Sequence, residues 1–410
     1  MPLPPPIPVQ ATDQAHLRRL VNSAMQQYGP RCDLNHIDVS QVATFKKVFA
    51  NSKFNGDISQ WDVSNATSFE SMFANSLFNG DISNWNVGKA TTFNAMFANS
   101  AFNGDISRWN MARATCLTQM FQGSRFNGDL SNWNVCNAVH FDEMFAASPF
   151  RGDLSRWSTP HATNMHSMFM QCPFTGDLSG WNVSNVEDMA QMFYQSKFNG
   201  DVSTWDVSRV RNTAYMFDHS PFNGNVSAWR PHALQKANHM FHCSRFSGNV
   251  SQWRLPRLLN AIAMFDKTPF NGDLSQWHLP RLRADYCTRM VPGTFAGVLP
   301  HIGDDFDGRK GFYRSISKAR HGAKGLDAYL VEHPFNAMHL DMALNSSKKP
   351  PGVTDDDMRW VQQVKDAAQA LGLDQEARWE YALSSFNERG MEANVLSLDF
   401  SIGSEGLFHA

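Results

Sequence analysis

Tryptophan stands at positions 61, 85, 109, 133, 157, 181, 205, 229, 253 and 277, a step of 24 residues with no insertion. Phenylalanine keeps the same step from Phe54, Phe78 and Phe102 through to Phe270. Glycine follows each of those Phe by two residues and serine by five. A strict period of this length excludes an ordinary single-core domain. A 24-residue unit cannot bury its own apolar face, so successive units must stack and share one continuous core.

One unit reads Phe54-Asn55-Gly56-Asp57-Ile58-Ser59-Gln60-Trp61-Asp62-Val63-Ser64-Asn65-Ala66-Thr67-Ser68-Phe69-Glu70-Ser71-Met72-Phe73-Ala74-Asn75-Ser76-Leu77. Asn55-Gly56 is a turn signal, with glycine available for a positive φ. Ser59, Trp61 and Val63 alternate with polar residues, the period of a short strand with one buried face. Ala66, Phe69, Met72 and Phe73 form the apolar stripe of a short helix, capped by Ser64 or Asn65. In a later unit Ser184-Asn185-Val186-Glu187 has the form of a capping box. At about 4.8 Å per strand, ten coils make an array on the order of 50 Å long. The expected fold class is an α/β repeat: a right-handed, leucine-rich-repeat-like solenoid of about ten coils, each a short strand plus a short helix or helical turn, with an N-terminal helical cap and a mainly α C-terminal region. The spacing of Ile58, Trp61 and Val63 fits the L-x-x-L-x-L core of such repeats.

The F-N-G-D-I-S-x-W-D-V-S-N-x-T-x-F-x-x-M-F-x-x-S pattern resembles the BspA-like leucine-rich repeats. Within them it is most similar to the variant known as a domain of unknown function in mycoplasma surface lipoproteins. The likeness runs from Phe54 to about residue 290. Residues 30–53 fit the same frame without the Trp, through Leu34, Ile37, Val39, Val42, Phe45 and Phe49. The resemblance implies a bacterial-type surface or secreted role in adhesion and recognition.

Four regions are expected. Residues 1–10 begin Met-Pro-Leu-Pro-Pro-Pro-Ile-Pro and read as a disordered, proline-rich tail. Residues 11–53 hold a helix from Asp13 to Tyr28, with Leu17, Leu20, Val21 and Met25 on one face, and the degenerate first coil. Residues 54–292 are the ten repeats. Residues 293–410 carry 12 Lys and Arg against 17 Asp and Glu, a shift from the rest of the chain that supports a boundary. There the register has already failed, with Met290 arriving two residues late. Thr354 to Leu371 reads as a helix capped by Thr354 with Asp355, Asp356 and Asp357 at its positive end, and Asp374 to Glu388 as a second.

Most repeat positions read as structure. The ten Trp share a face with Val63 and its equivalents, which makes them core rather than a stacking platform. Asp57, Asp81, Asp105, Asp129, Asp153, Asp177, Asp201 and Asp273 form a column, but one carboxylate per unit is poor chemistry for Ca²⁺, and Asn replaces Asp at 225 and 249. A turn residue bonding its own backbone is the expected role. His239, His242 and Cys243 lie in one unit with no second ligand group at zinc spacing, so no metal and no cofactor is expected. Cys32, Cys116, Cys136, Cys172, Cys243 and Cys287 make no CxxC pair and read as reduced thiols.

The outward positions flanking each Trp carry the functional expectation. In the first seven units their charges cancel. In the last three they become basic: Arg230, Arg254 and His278, extended by His232, Arg257 and Arg281 in the next turn. Arg in such a strip suits carboxylate or phosphate partners. The expected function is a non-enzymatic interaction scaffold, a monomer, taking a protein or glycan on a concave strand face. The second reading is a secreted effector whose repeats target and whose 293–410 region acts. No G-x-S-x-G, Walker loop, H-E-x-x-H or C-x-x-C occurs, so no catalytic residue is expected. A net charge of −2 argues against a nucleic-acid binder. No apolar run reaches 18 residues and no basic n-region opens the chain, so neither membrane insertion nor a secretory signal is expected. That leaves the cytoplasm or a specialised export route, with a surface or secreted location implied by the resemblance.

Overall fold

Position i has its neighbour in space at i plus 24. The computed structural model describes residues 7–274, 276–282, 286–287, 289–292, 295, 349 and 353–370. In it a ladder of parallel bridges links Thr44 to Ser68, Ser68 to Thr92, Thr92 to Cys116, and so on to Lys236 and Asn260. The units are therefore coils stacked in parallel, and the chain is a repeat protein.

Among the described residues outside the ten repeats there are four named elements: β1 (Val9–Gln10), α1 (Gln14–Tyr28), β2 (Ile37–Asp38) and α2 (Asp355–Ala370). Inside the repeats, among the described residues, there is neither a helix nor a multi-residue strand. This corrects the expected strand and, of the short helix or helical turn expected after it, the short helix. The segment expected as a helix is a run of tight turns. Met72 N–H donates to Phe69 O (3.1 Å) and Ala74 N–H to Ser71 O (3.2 Å). The intervening amides point along the stack: Phe69 to Thr92 O (3.0 Å), Ser71 to Asn94 O (2.8 Å), Phe73 to Met96 O (2.9 Å) and Asn75 to Ala98 O (2.8 Å). Consecutive turns return apolar side chains every three or four residues, as a helix does, so the spacing alone does not separate the two. An adjacent coil supplies acceptors that an isolated helix lacks. The arrangement places Ser71, Asn75 and their equivalents at φ near +50 to +60°, almost all of them non-glycine. That conformation costs on the order of 1–2 kcal/mol per residue and persists because two sets of hydrogen bonds hold it.

The strand expected around each Trp is also a pair of turns. Trp61 N–H donates to Ile58 O (3.2 Å) and Ala66 N–H to Val63 O (2.9 Å). The in–out alternation survives, with Ile58, Trp61 and Val63 buried and Gln60 and Asp62 exposed. Here the coils are tied by side chains. Trp61 Nε1 donates to Leu34 O (2.9 Å) and Trp85 Nε1 to Ile58 O (3.2 Å), and all ten indoles repeat the bond to the carbonyl 27 residues back. No capping box forms at 184–187. Ser184 N–H instead goes to Asn182 Oδ1 (3.1 Å), and Asn185 Nδ2 reaches Pro160 O of the previous coil (2.8 Å).

Three long aromatic columns run through the core. The Phe49–Phe73–Phe97 column stacks at 5.4 and 5.6 Å, the Phe54–Phe78–Phe102 column at 5.9 and 6.2 Å, and Trp133–Trp157–Trp181 at 6.4 and 6.1 Å, with nearly parallel rings. Within a coil, Phe73 lies flat against Phe78 at 4.2 Å. This packing explains the glycine column. Of the glycines described, only Gly29 and Gly123 take a positive φ, so the expected role of Gly56 and its equivalents is corrected. They are needed for space: a Cβ on Gly80 would stand 2.8 Å from the Phe78 ring. The Asp column does what a turn residue can do. Asp57 Oδ1 accepts from Ser59 N–H (2.9 Å), and Asn225 and Asn249 make the same bond to Ser227 and Ser251.

The N-terminal end is covered. Asp13 caps α1 by accepting from His16 N–H (2.8 Å), and Gly29 N–H closes it on Met25 O. Leu17, Val21 and Ala24 are buried in the same core as the coils. Gln14 Nε2 donates to Lys46 O, a first-coil carbonyl with no earlier coil to serve it. Val9 and Gln10, read as the end of a disordered tail, pair as β1 in parallel with β2 of the Trp-less coil. At the other end the two extra residues before Met290 are absorbed: Ala261 N–H still finds Tyr286 O (2.7 Å) and Phe265 N–H finds Met290 O (2.9 Å). In α2, Thr354 Oγ1 accepts from Asp357 N–H while Asp357 Oδ2 accepts from Thr354 N–H, a reciprocal cap. The helix expected at 374–388 lies outside the described residues, as does most of 293–410.

Candidate functional site

The stack brings two groups of polar side chains to its surface. The first is the basic strip. Arg230, His232, Arg254, Arg257, His278 and Arg281 are all exposed. Arg230, Arg254 and His278 occupy one column on three successive coils, each about one strand spacing from the next. Arg230 Nη1 bonds Ser227 O (3.0 Å) and Trp229 O (2.9 Å), and Arg254 Nη1 bonds Gln276 O of the next coil (3.1 Å). These bonds lay the guanidinium groups along the coil edge. Among the described residues no carboxylate lies within ion-pair distance of any of the six, whereas Arg211 pairs with Glu187 at 3.2 Å. The setting differs from the expected strand face: the strip runs along a turn-built edge, because the ladder lies elsewhere in the coil.

The tryptophans offer no ligand platform. Trp61, Trp85, Trp109, Trp133, Trp157, Trp181, Trp205, Trp229, Trp253 and Trp277 are all at most 4 % exposed. All six cysteines are free thiols. Burial pushes the Cys172 thiol up to about 11.

The second group lies on the ladder side, near the C-terminal end. Asp218, His242 and Asp266 occupy one column, and His219 and Cys243 the next. Asp218 is 3 % exposed, and its Oδ1 meets both His219 Nδ1 (2.6 Å) and His242 Nδ1 (2.9 Å). His242 Nε2 lies 3.5 Å from Cys243 Sγ and 3.8 Å from Asp266 Oδ2. Arg289 Nη1 stands 3.6 Å from the same Asp266 oxygen. His239 stacks flat on Tyr215 at 4.6 Å and meets His242 edge-on at 5.1 Å. Burial, and then the neighbouring His242, lowers the His239 pKa. Burial raises that of Cys243.

Reading along the chain, His239, His242 and Cys243 lack a second ligand group. In three dimensions they have one, supplied by Asp218 and His219 from the coil before. The recoverable signal was columnar: polar residues at 218, 242 and 266, each 24 apart, where most other coils carry Ala.

Residues 19–125, 99–175 and 171–277 each match the family described as Mycoplasma protein of unknown function, DUF285. This chain belongs to the DUF285 family. The DUF285 matches begin inside α1 and end at Trp277, so they take in the degenerate coil and every Trp-bearing position of the repeat. Both polar groups thus sit on DUF285 coils, apart from Arg281, His278 and Arg289 just beyond. No curated protein and no solved structure matches this DUF285 chain.

Proposed function

We propose that this chain is a non-enzymatic recognition scaffold that takes an acidic protein segment or an anionic glycan along the strip of Arg230, His232, Arg254, Arg257, His278 and Arg281. The single observation that carries the reading is that these basic residues line consecutive coils, exposed and with no carboxylate partner among the described residues. A repeat stack suits this role because its coils hold side chains at a fixed pitch over a long surface. Arg presents planar donors to carboxylate, sulfate or phosphate. On this reading the coils form a right-handed, leucine-rich-repeat-like solenoid of the BspA-like kind. The parallel ladder and the 24-residue step support that, as does the strong right-handed preference of connections between parallel strands. A surface or secreted setting follows from the same likeness.

The test uses the full chain and a variant carrying Arg230, Arg254, Arg257 and Arg281 changed to Glu. Both are applied to an array of acidic peptides and of sulfated and neutral glycans. Retention of an anionic probe by the native chain, lost in a variant that unfolds at the same temperature, supports the proposal. Equal retention by both chains retires it.

A further inference from the structure

His219, His242 and Cys243 cluster at the spacing of a metal ligand set, with Asp266 beside His242. One ligand atom from each of His219, His242 and Cys243 lies within 4.8 Å of the other two. The Nε2 to Sγ separation of 3.5 Å at His242 and Cys243 is the one that matters. Ligands about 2.0–2.1 Å (N) and 2.3 Å (S) from one tetrahedral ion stand about 3.5 Å apart.

Two further observations point to a cation. The first is the role of Asp218. Its buried carboxylate oxygen meets the Nδ1 of both His219 and His242; a carboxylate accepts there, so Nε2 is the ring atom left to hold a metal. A carboxylate behind the imidazole is the usual outer partner of a metal-bound histidine. Here one carboxylate serves two rings from adjacent coils. The second is Asp266 Oδ2. It is buried, has no hydrogen-bond donor, and stands 3.8 Å from His242 Nε2. A buried carboxylate oxygen without a donor is costly unless a cation answers it. Arg289 at 3.6 Å answers it in part, from outside hydrogen-bond range.

We propose that His219 Nε2, His242 Nε2 and Cys243 Sγ, with Asp266 Oδ2 in the fourth position, bind one zinc-class divalent cation, and that Asp218 orients both histidines. The donor set selects the ion. Two imidazoles, a thiolate and one carboxylate suit zinc and exclude calcium or magnesium, which want a shell of oxygens. Binding releases the Cys243 proton to solvent and leaves the thiolate on the metal. The charges balance well: the Cys243 thiolate and Asp266 face the ion, with Asp218 behind the histidines and Arg289 at the rim. The site ties together three successive coils, those carrying 218–219, 242–243 and 266, and so acts as a staple across the last part of the stack.

The experiment uses the full chain, stripped of metal by chelator and titrated with cobalt(II) as the optical probe, then with zinc in competition. The expected result is one ion per chain with a thiolate-to-cobalt absorption band. That band should vanish in Cys243→Ser and in His219→Ala, both at half-exposed or exposed positions. Asp218→Ala should weaken zinc binding about 10- to 100-fold, as loss of an outer partner does. Zinc should also raise the unfolding temperature of the native chain and leave that of Cys243→Ser unmoved. A cobalt spectrum without the thiolate band overturns the proposal, as does zinc bound equally well by native chain and His219→Ala.

Discussion

Removal of the Trp157 side chain tests the core where it is most regular. Trp157 is 2 % exposed and lies between Trp133 (6.4 Å) and Trp181 (6.1 Å). Its Nε1 donates to Leu130 O at 2.9 Å. Trp157→Ala removes the ring and leaves a cavity walled by two stacked indoles that cannot both move in, and a loss of roughly 3–5 kcal/mol is expected. Trp157→Phe separates the parts. Leu130 O still accepts from Trp133 N–H (3.1 Å), so the lost indole bond costs only a net hydrogen bond, about 1 kcal/mol. The smaller void adds about 1 kcal/mol more. The expected order is Ala well below Phe, with Phe about 2 kcal/mol below native, read from urea midpoints by fluorescence of the remaining tryptophans. The stack adds a sharper test. Coils contact only their neighbours, so Trp133→Phe and Trp157→Phe should couple. Trp61→Phe and Trp157→Phe, four coils apart, should add to within about 0.5 kcal/mol. A Trp157→Ala chain within 0.5 kcal/mol of native refutes the core argument, and coupling between the distant pair refutes the nearest-neighbour one.

Two further outcomes follow from the turn that opens each coil. Gly152→Ala places a Cβ 2.7 Å from the Phe150 ring, which Phe145 backs at 4.1 Å, so a loss of roughly 1–3 kcal/mol is expected; Gly180→Ala, whose nearest atom is 3.6 Å away, should be neutral, and equal midpoints for the two would contradict the steric account. The backbone amides of Ser59, Ser107, Ser155 and Ser203 hold Asp57, Asp105, Asp153 and Asp201 below the usual carboxylate range. A depressed folded-state pKa contributes stability that is complete above the unfolded value near 3.9 and is lost as pH falls through the folded one. Unfolding temperature should therefore be level from pH 7 to about 5 and drop below about pH 4. Replacing Asp153 and Asp201 with Asn, which keeps the bond at Asn225 and Asn249, should flatten that drop; an unchanged acid limb would show that other groups cause it.

The repeat itself was fully legible, and so was its core. Every Phe and Trp of the 24-residue columns that the sequence marks as apolar is buried, and the Asp57 column bonds the backbone as its residue type suggests. The α2 cap was legible as well, since Thr354 acts on the amide of Asp357, three residues on. What misled was local periodicity. Ala66, Phe69, Met72 and Phe73 have helical spacing, yet their amides alternate between closing turns and reaching Thr92, Asn94, Met96 and Ala98 of the next coil. Gly56 has a turn residue's context, yet its reason is space: a Cβ there would meet Cys32 O of the coil before and then the ring of Phe54.

The amino-acid sequence by itself determined the period, the buried columns and the membership of each coil, because those follow from which side chains must leave water. Tertiary structure decided where the hydrogen bonds go, since a coil's amides choose between their own chain and an acceptor one spacing away. It also decided which polar residues meet. Asp218 and His219 stand beside His242, Cys243 and Asp266 only because stacking places i next to i plus 24, a proximity that no local spacing rule records.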